Sequence, residues 1–261
     1  MNSSWTQPNP ATLPNFVGQE NPASRIMSKG KLEKFEELGK LSNTYQNFSW
    51  EKPELINSAG EVVDMRGAWA KHFSNDNPIT LELACGRGEY TVGLAARYPN
   101  RNFIAVDIKG NRIWAGAKQA SDQGLGNAAF LRTDITLLDR FFEANEVDEF
   151  WITFPDPYLK KSKARKRLTA PRFLNLYQSI SHKGAKVHLK TDEVRLYEFS
   201  LEVAGEMQLT VEASVLDIHQ EEELPLPELA IKTYYEGLHI APGDQICYLR
   251  MLLDQEGSPT R

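Results

Sequence analysis

The chain's 261 residues and 29.6 kDa suffice for one α/β domain with decorations or two small domains, with a core that needs no disulfide or metal staple. Its residues are 41% hydrophobic, 25% charged and 10% aromatic, an ordinary globular composition that excludes collagen-like and globally disordered chains. The net charge of -5 excludes coating of nucleic acid by bulk charge, yet Pro157 to Thr191 holds ten Lys or Arg and no Asp or Glu, against 20 basic and 35 acidic residues elsewhere, a basic island suited to local capture of an anion.

Residues 1–26 carry four prolines, four asparagines and little periodic hydrophobicity, which predicts a flexible extension that cannot repay the entropy of ordering. Met27 is a second candidate start. Residues 27–76 are expected to form a helical segment on the core, because Leu32, Phe35, Leu38 and Leu41 recur at three-residue spacing in KLEKFEELGKL. From Asn77 to the C-terminus the pattern predicts one domain of short apolar strands alternating with helices. Strands are expected over 79–85, 102–107, 128–132, 147–153 and 185–191, and helices over 89–98, 112–123, 137–144 and 171–181. Late strands follow over 210–218 and 245–253. Alternation of this kind makes βαβ units and a mostly parallel central sheet with helices on both faces, a Rossmann-like α/β fold. Ligands of such sheets sit beyond the carboxyl ends of the strands.

Cys85 and Cys247 cannot make a disulfide framework and read as core thiols. The five histidines have no ligand-like spacing, so no metal is expected. No apolar run nears the roughly 18 residues of a membrane span, and the first residues lack a basic start before an apolar stretch. The expectation is a soluble cytoplasmic protein without membrane contact, a monomer or homodimer.

The segment TLELACGRGE, Thr80 to Glu89, puts glycines 86 and 88 between a strand and a helix, where a bare backbone can approach a ligand. It lacks the third glycine of a dinucleotide fingerprint and the G-K-[ST] of a phosphate loop, which disfavours phosphate-bearing cofactors. Asp107, nineteen residues past Gly88 at the end of the second strand, can accept hydrogen bonds from both hydroxyls of a ribose. Asp134 closes the third strand, where a carboxylate can accept from an adenine amine or merely cap a helix. Glu82, inside the first strand, is costly to bury without a cationic partner. A cofactor with an ammonium, a sulfonium and a ribose but no phosphate fits these acids, and S-adenosyl-L-methionine is that molecule.

After the fourth strand, TFPDPYLKK fixes Asp156 between Pro155 and Pro157, which aims one carboxylate at the reaction centre or starts a turn. The run KKSKARKRLTAPR, Lys160 to Arg172, has seven basic residues beside Tyr158. Phosphates are its natural partner and a base could stack on the tyrosine, although such a run also serves as a solvated loop or a localisation signal.

ELACGRGE, VDIKGNR, FPDPY-x-KK, the KR-LT-P-FL stretch and Thr191-Asp192 together resemble the bacterial tRNA (guanine-N7)-methyltransferase family, from about Gly30 to the C-terminus. Thr233-Tyr234-Tyr235-Glu236 is similar to that family's T-x-[FY]-E motif. The resemblance implies a class I S-adenosylmethionine-dependent methyltransferase fold and a tRNA substrate, with position 46 of the variable loop as target. It implies that Glu82, Gly86, Gly88, Asp107, Asp134 and Asp156 line the cofactor pocket, and that Asp156 is also catalytic. Lys160, Asp192, Thr233, Tyr234, Tyr235 and Glu236 then meet the substrate, while Lys160, Lys161, Arg165, Lys166 and Arg167 are expected on tRNA phosphates. Ala84 departs from the family's usual glycine, Tyr158 from its usual tryptophan, and Tyr234 from a position that is often charged. Two other readings stay open at this point: a methyltransferase of exocyclic or amide nitrogens, whose D-P-P-Y motif Asp156-Pro157-Tyr158 partly matches, and a catalytically silent RNA-binding scaffold.

Overall fold

Every residue of Ile79–Leu83 and of Asn102–Asp107 is buried, the signature of central parallel strands covered on both faces. In the computed structural model, which describes residues 29–241 and 243–253, the chain opens with α1 (Lys29–Leu38), β1 (Thr44–Gln46), β2 (Leu55–Ile56), β3 (Val62–Val63) and α2 (Trp69–Phe73). There follow β4 (Ile79–Leu83), α3 (Glu89–Arg97), β5 (Asn102–Asp107), α4 (Gly110–Asp122), β6 (Ala128–Arg132), α5 (Leu138–Phe141) and β7 (Val147–Thr153). The last part holds α6 (Pro171–Ile180), β8 (Ser181–Thr191), α7 (Val194–Glu206), β9 (Thr210–Val215), α8 (Tyr234–His239) and β10 (Cys247–Leu253), with a 3₁₀ turn at Lys161–Lys166. The predicted extension over 1–26 lies outside the described residues.

All ten strands join one sheet in the order β3-β2-β1-β6-β5-β4-β7-β8-β10-β9. From β1 through β8 in that order the pairs are parallel, whereas β10 lies antiparallel between β8 and β9. Strand order reverses at β4, which has β5 on one side and β7 on the other. The crevice for a ligand therefore opens at the carboxyl ends of β4 and β7.

Alternation along the strands sorts the core into two layers. Leu81, Leu83, Ile104 and Val106 pack with Trp69, Leu138, Leu174 and Leu196 on the face of α2, α5, α6 and α7. Phe103, Ala105, Phe130 and Trp151 pack with Leu38, Tyr90, Ile113 and Ala117 on the face of α1, α3 and α4. Each wholly buried leucine or phenylalanine contributes roughly 1.5–3 kcal/mol of transfer free energy. Period two then puts Glu82, between Leu81 and Leu83, on the α3 face.

The structure corrects the sequence reading in three places. Residues 27–76 are not simply helical: between α1 and α2 run three short strands, and β1 extends the sheet by pairing with β6. Two- and three-residue strands carry too little periodicity to be read from sequence. The helix expected over 137–144 shrinks to Leu138–Phe141, because the chain turns extended at Phe142. Two helices are absent from the sequence reading, α8 and α7, the latter starting after β8 with the Glu193 side chain capping the Arg195 N–H.

Candidate active site

The exit of β4 is built around two acids. Glu82 is 2% exposed, and its Oε2 accepts the Thr91 N–H at 2.8 Å and the Thr91 hydroxyl at 2.7 Å. Its Oε1 is buried with no hydrogen-bond partner among the described residues. Burial pushes the carboxyl up to about 8 against the pull of the Thr91 hydrogen bonds, and Glu89 and Asp107 nearby push the same way. Asp107, at the end of β5, accepts the Gly86 N–H at 3.0 Å and the Lys109 N–H at 2.8 Å. It thereby ties the β4–α3 loop to the neighbouring strand and keeps further lone pairs for a ligand.

The two loop glycines do different work. Gly86 has φ +59 and open space where a Cβ would stand, so it leaves room for a ligand. Gly88 has φ +74, and a Cβ there would come within 2.9 Å of the Phe130 ring. The missing side chain lets α3 close on β6 and α4. Ala84 takes φ +55 without being glycine, a conformation that costs an L-residue about 1–2 kcal/mol.

A cleft of about 480 Å³ opens above this loop. Gly86 and Arg87 form one wall, Lys34 of α1 and Trp114 of α4 another, and Phe154, Tyr234 and Tyr235 the side toward β7. Trp114 is held by a hydrogen bond to Glu37 and by the Lys34 ammonium over its ring at 4.7 Å. Glu82, Gly88, Asp107, Asp134, Asp156 and Asp192 do not line the cleft in this structure. Asp107 is buried one hydrogen bond behind the cleft, through the N–H of the lining residue Gly86, and Glu82 is buried on Thr91 of α3.

The loop after β7 carries two more strained residues. Phe154 has φ +46 and Tyr158 φ +42, so a left-handed residue stands at each end of Pro155-Asp156-Pro157. Each costs about 1–3 kcal/mol and persists only where the surroundings over-determine it. Asp156 is exposed and Pro155 buried, which presents the acid on a fixed base. Burial raises the Tyr158 hydroxyl, and the nearby charges of Asp156 and Asp134 raise it further. The loop after β7 thus reaches toward the end of β6. Asp134 Oδ1 there accepts the Thr136 N–H at 2.9 Å and the Thr136 hydroxyl at 2.7 Å, the capping role that the sequence also allowed, which leaves Oδ2 for a ligand.

Around α8 the expected substrate residues divide into builders and faces. Thr233 and Glu236 form a capping box, each side chain accepting the other's backbone N–H. Glu236 is 7% exposed and takes the Lys190 ammonium at 2.8 Å. Tyr234 and Tyr235 remain 48% and 43% exposed on the cleft side. The Arg87 guanidinium stacks on Tyr234 at 3.3 Å from the ring centre, and Tyr235 meets Phe154 and His239. The Tyr235 hydroxyl makes a long 3.4 Å hydrogen bond to Asp192.

Lys160, Lys161, Lys163, Arg165 and Lys166 are all exposed on and beside the 3₁₀ turn. Side chains three apart eclipse one another in that geometry, so Lys160, Lys163 and Lys166 line one ridge. Lys163 is missing from the sequence-derived phosphate contacts, and only the turn geometry brings it in. Among the described residues no carboxylate pairs with any of these five. Arg167 is the exception to the exposed run: it is 7% exposed, and its donors go to the Pro157 and Tyr158 carbonyls. The expected phosphate contact at Arg167 is therefore corrected to an internal one. Cys85 and Cys247 are buried thiols raised by burial, and among the described residues no group of three His, Cys, Asp or Glu is placed to hold a metal.

Known proteins resemble this chain over most of its length. A family described as "Putative methyltransferase" matches residues 76–249. A tRNA (guanine-N(7)-)-methyltransferase of Bacteroides fragilis is 44% identical over 234 residues, covering 88% of this chain and 88% of that protein. The protein of the same name from Porphyromonas gingivalis is 50% identical over 186 residues, covering 71% of this chain and 75% of that one. Among solved structures, the 16S rRNA methyltransferase KamB superposes with a TM-score of 0.55 at 15% identity, over 75% of this chain and 97% of that one. At that identity the likeness shows the fold.

The left-handed Ala84 yields a stability prediction. Ala84→Gly removes strain of about 1–2 kcal/mol and adds about 0.4–1 kcal/mol of unfolded-chain entropy. Urea unfolding should show a gain of up to about 1.6 kcal/mol from the difference of those terms. A loss of similar size would show that the Ala84 methyl contributes packing instead.

Proposed function

The chain belongs to the tRNA (guanine-N(7)-)-methyltransferase family, and we propose that it transfers a methyl group from S-adenosylmethionine to N7 of a tRNA guanine, guanine 46 of the variable loop. The observation that carries this reading is the orphaned, buried Oε1 of Glu82 behind a cleft that Phe154, two residues before Asp156, also lines. When bound, S-adenosylmethionine supplies an electrophilic methyl on a sulfonium, and it bears an ammonium and a ribose but no phosphate. Glu82 Oε1 takes the ammonium, which resolves the cost of an unpaired buried carboxylate. The open face of Gly86 admits the ligand to the backbone. Asp107 accepts from ribose hydroxyls through its remaining lone pairs, and Asp134 Oδ2 from the adenine amine.

Guanine N7 carries an in-plane lone pair and no proton at neutral pH, so the chain has no strong base to provide. Positioning dominates. Asp156 accepts hydrogen bonds from the donor edge of the guanine, orients N7 and offsets the positive charge that grows on the ring. Tyr158 and Tyr235 offer faces for stacking. Thr233 and Glu236 act by building α8, while Tyr234 and Tyr235 present its surface to the nucleotide and Asp192 steadies the Tyr235 hydroxyl. Lys160, Lys161, Lys163, Arg165 and Lys166 hold tRNA phosphates, a local basic ridge on an acidic body. Such a protein works in the cytoplasm, on tRNA.

Incubating bulk tRNA with the protein and S-adenosylmethionine, then digesting to nucleosides for mass spectrometry, should yield 7-methylguanosine, with sequencing of the modified tRNA placing it at 46. Methyl on an exocyclic nitrogen would support the rival methyltransferase reading, and no methyl on RNA would support the scaffold. Asp156→Ala should lower turnover at least 100-fold, in line with the loss of a positioned contact, and leave cofactor affinity within about twofold; near wild-type turnover would remove Asp156 from the reaction.

Glu82 predicts a proton linkage. Its free carboxyl titrates at about 8, so below that pH it holds a proton, which a bound cation expels. Cofactor affinity should therefore rise with pH from 6 to 8 by up to about tenfold per unit and flatten above. Calorimetry in buffers of different ionisation enthalpy should register the released proton. Glu82→Gln should abolish that release, and an undiminished release in the variant would place the titration elsewhere.

A further inference from the structure

Arg167 belongs to the basic run, yet the basic residues from Lys160 to Lys166 are exposed while it is 7% exposed. Its Nε donates to the Pro157 carbonyl at 2.9 Å and its Nη2 to the Tyr158 carbonyl at 3.2 Å. The guanidinium plane lies over the Phe199 ring of α7, 4.3 Å from its centre. One rigid fork thus grips two successive carbonyls of the loop that presents Asp156, on the side where Tyr158 takes φ +42.

We propose that Arg167 is a positioning residue for methyl transfer: it fixes the Pro157–Tyr158 backbone and through it the direction of Asp156, and it does not touch tRNA. The fork matters chemically. Two donors set in one plane can bridge neighbouring carbonyls, and the same plane stacks on Phe199, whereas a lysine ammonium is a single compact charge on a flexible stem. The prolines on either side of Asp156 have fixed φ, so the torsions of Tyr158 are the main freedom left at the downstream end of the loop. Arg167 removes that freedom by holding the carbonyls before and after the Tyr158 nitrogen and Cα. The link from α7 through Phe199 anchors the grip to the body of the domain. The inference rests on the reading that Asp156 orients the target base, but the grip on the loop is testable apart from it.

Arg167→Lys, which keeps the charge, and Arg167→Ala are compared with the full-length protein after equal thermal unfolding profiles are verified; Lys is the variant to use if Ala unfolds. Turnover should fall about 100-fold, the penalty for a reacting group misplaced by an ångström or so, with tRNA KM and cofactor affinity within about twofold. The slope of log binding constant for tRNA against log salt should stay unchanged, whereas loss of a phosphate contact would reduce it by about one. Added guanidinium ion should restore turnover to Arg167→Ala and not to Asp156→Ala. Hydrogen exchange should quicken in both variants at the Lys163 and Arg167 amides, which donate to the Lys160 and Ala164 carbonyls of the gripped segment, and stay unchanged in the central strands. Full turnover in Arg167→Lys, a salt slope lower by one, or unaltered exchange in the loop would each overturn the proposal. If the wild type leaves tRNA guanine N7 unmethylated, the functional reading fails while the exchange result still decides whether Arg167 holds the loop.

Discussion

The ammonium of Lys190, wholly enclosed beneath the carboxyl end of β8, joins pieces of chain that are far apart in sequence. It donates to the Leu229 and Ile231 carbonyls at 3.1 and 3.2 Å and to the Glu236 carboxylate at 2.8 Å. It also lies 5.5 Å from the Tyr90 ring centre and 5.4 Å from that of Phe154. Its own carbonyl accepts the Phe154 N–H at 2.8 Å. Burial lowers its pKa, and the Glu236 hydrogen bond and charge act against that shift. Breaking such a buried pair by removing one partner costs about 3–5 kcal/mol, so the α8 segment is tied to the sheet by far more than a surface contact. The walls of the cleft depend on this tie, since Phe154, Tyr234 and Tyr235 all stand on chain that Lys190 holds.

Two kinds of carboxylate then share the site. Glu82 and Asp107 are buried and fixed by backbone amides; Glu82 Oε1 has no partner among the described residues, and Asp107 retains spare lone pairs. Asp156 is exposed but stands on a loop whose torsions are dictated from both ends. Buried acids in a dry pocket favour a cationic ligand, and an exposed acid on a rigid stem favours a large polar partner that arrives from solvent. The lysine ridge next to it, without a carboxylate partner among the described residues, supplies the attraction for a polyanion. Cofactor and nucleic acid thus meet at the reversal of strand order, with separate electrostatics for each.

Much of this was legible in the sequence because parallel strands announce themselves. ITLEL and NFIAVD are apolar runs of the right length, and the acids at 82, 107, 134 and 156 fall in or just past strands, where the fold places a ligand. What stayed hidden depends on tertiary context. β1 to β3 are only two or three residues long, and they exist because β6 offers an edge. Gly88 looks like a ligand-approach glycine, and only the Phe130 ring against it shows the packing role. Arg167 differs from Arg165 in nothing but direction, which a charge run cannot encode. Lys190 reads as one more member of the basic island, although it carries the buried junction. Thr233 and Glu236 are recognisable as a motif, but whether they touch a ligand or build the helix that does is a matter of which hydrogen bonds their oxygens complete.

The most direct measurement is a crystal structure of the protein with tRNA and S-adenosylhomocysteine, the demethylated form of the donor. It should show an everted guanine with its donor edge within hydrogen-bond distance of the Asp156 carboxylate and N7 turned to the sulfur, over a Glu82 paired with the ligand's ammonium. A guanine bound elsewhere, with Asp156 turned to solvent and Glu82 Oε1 still without a partner, would contradict the account.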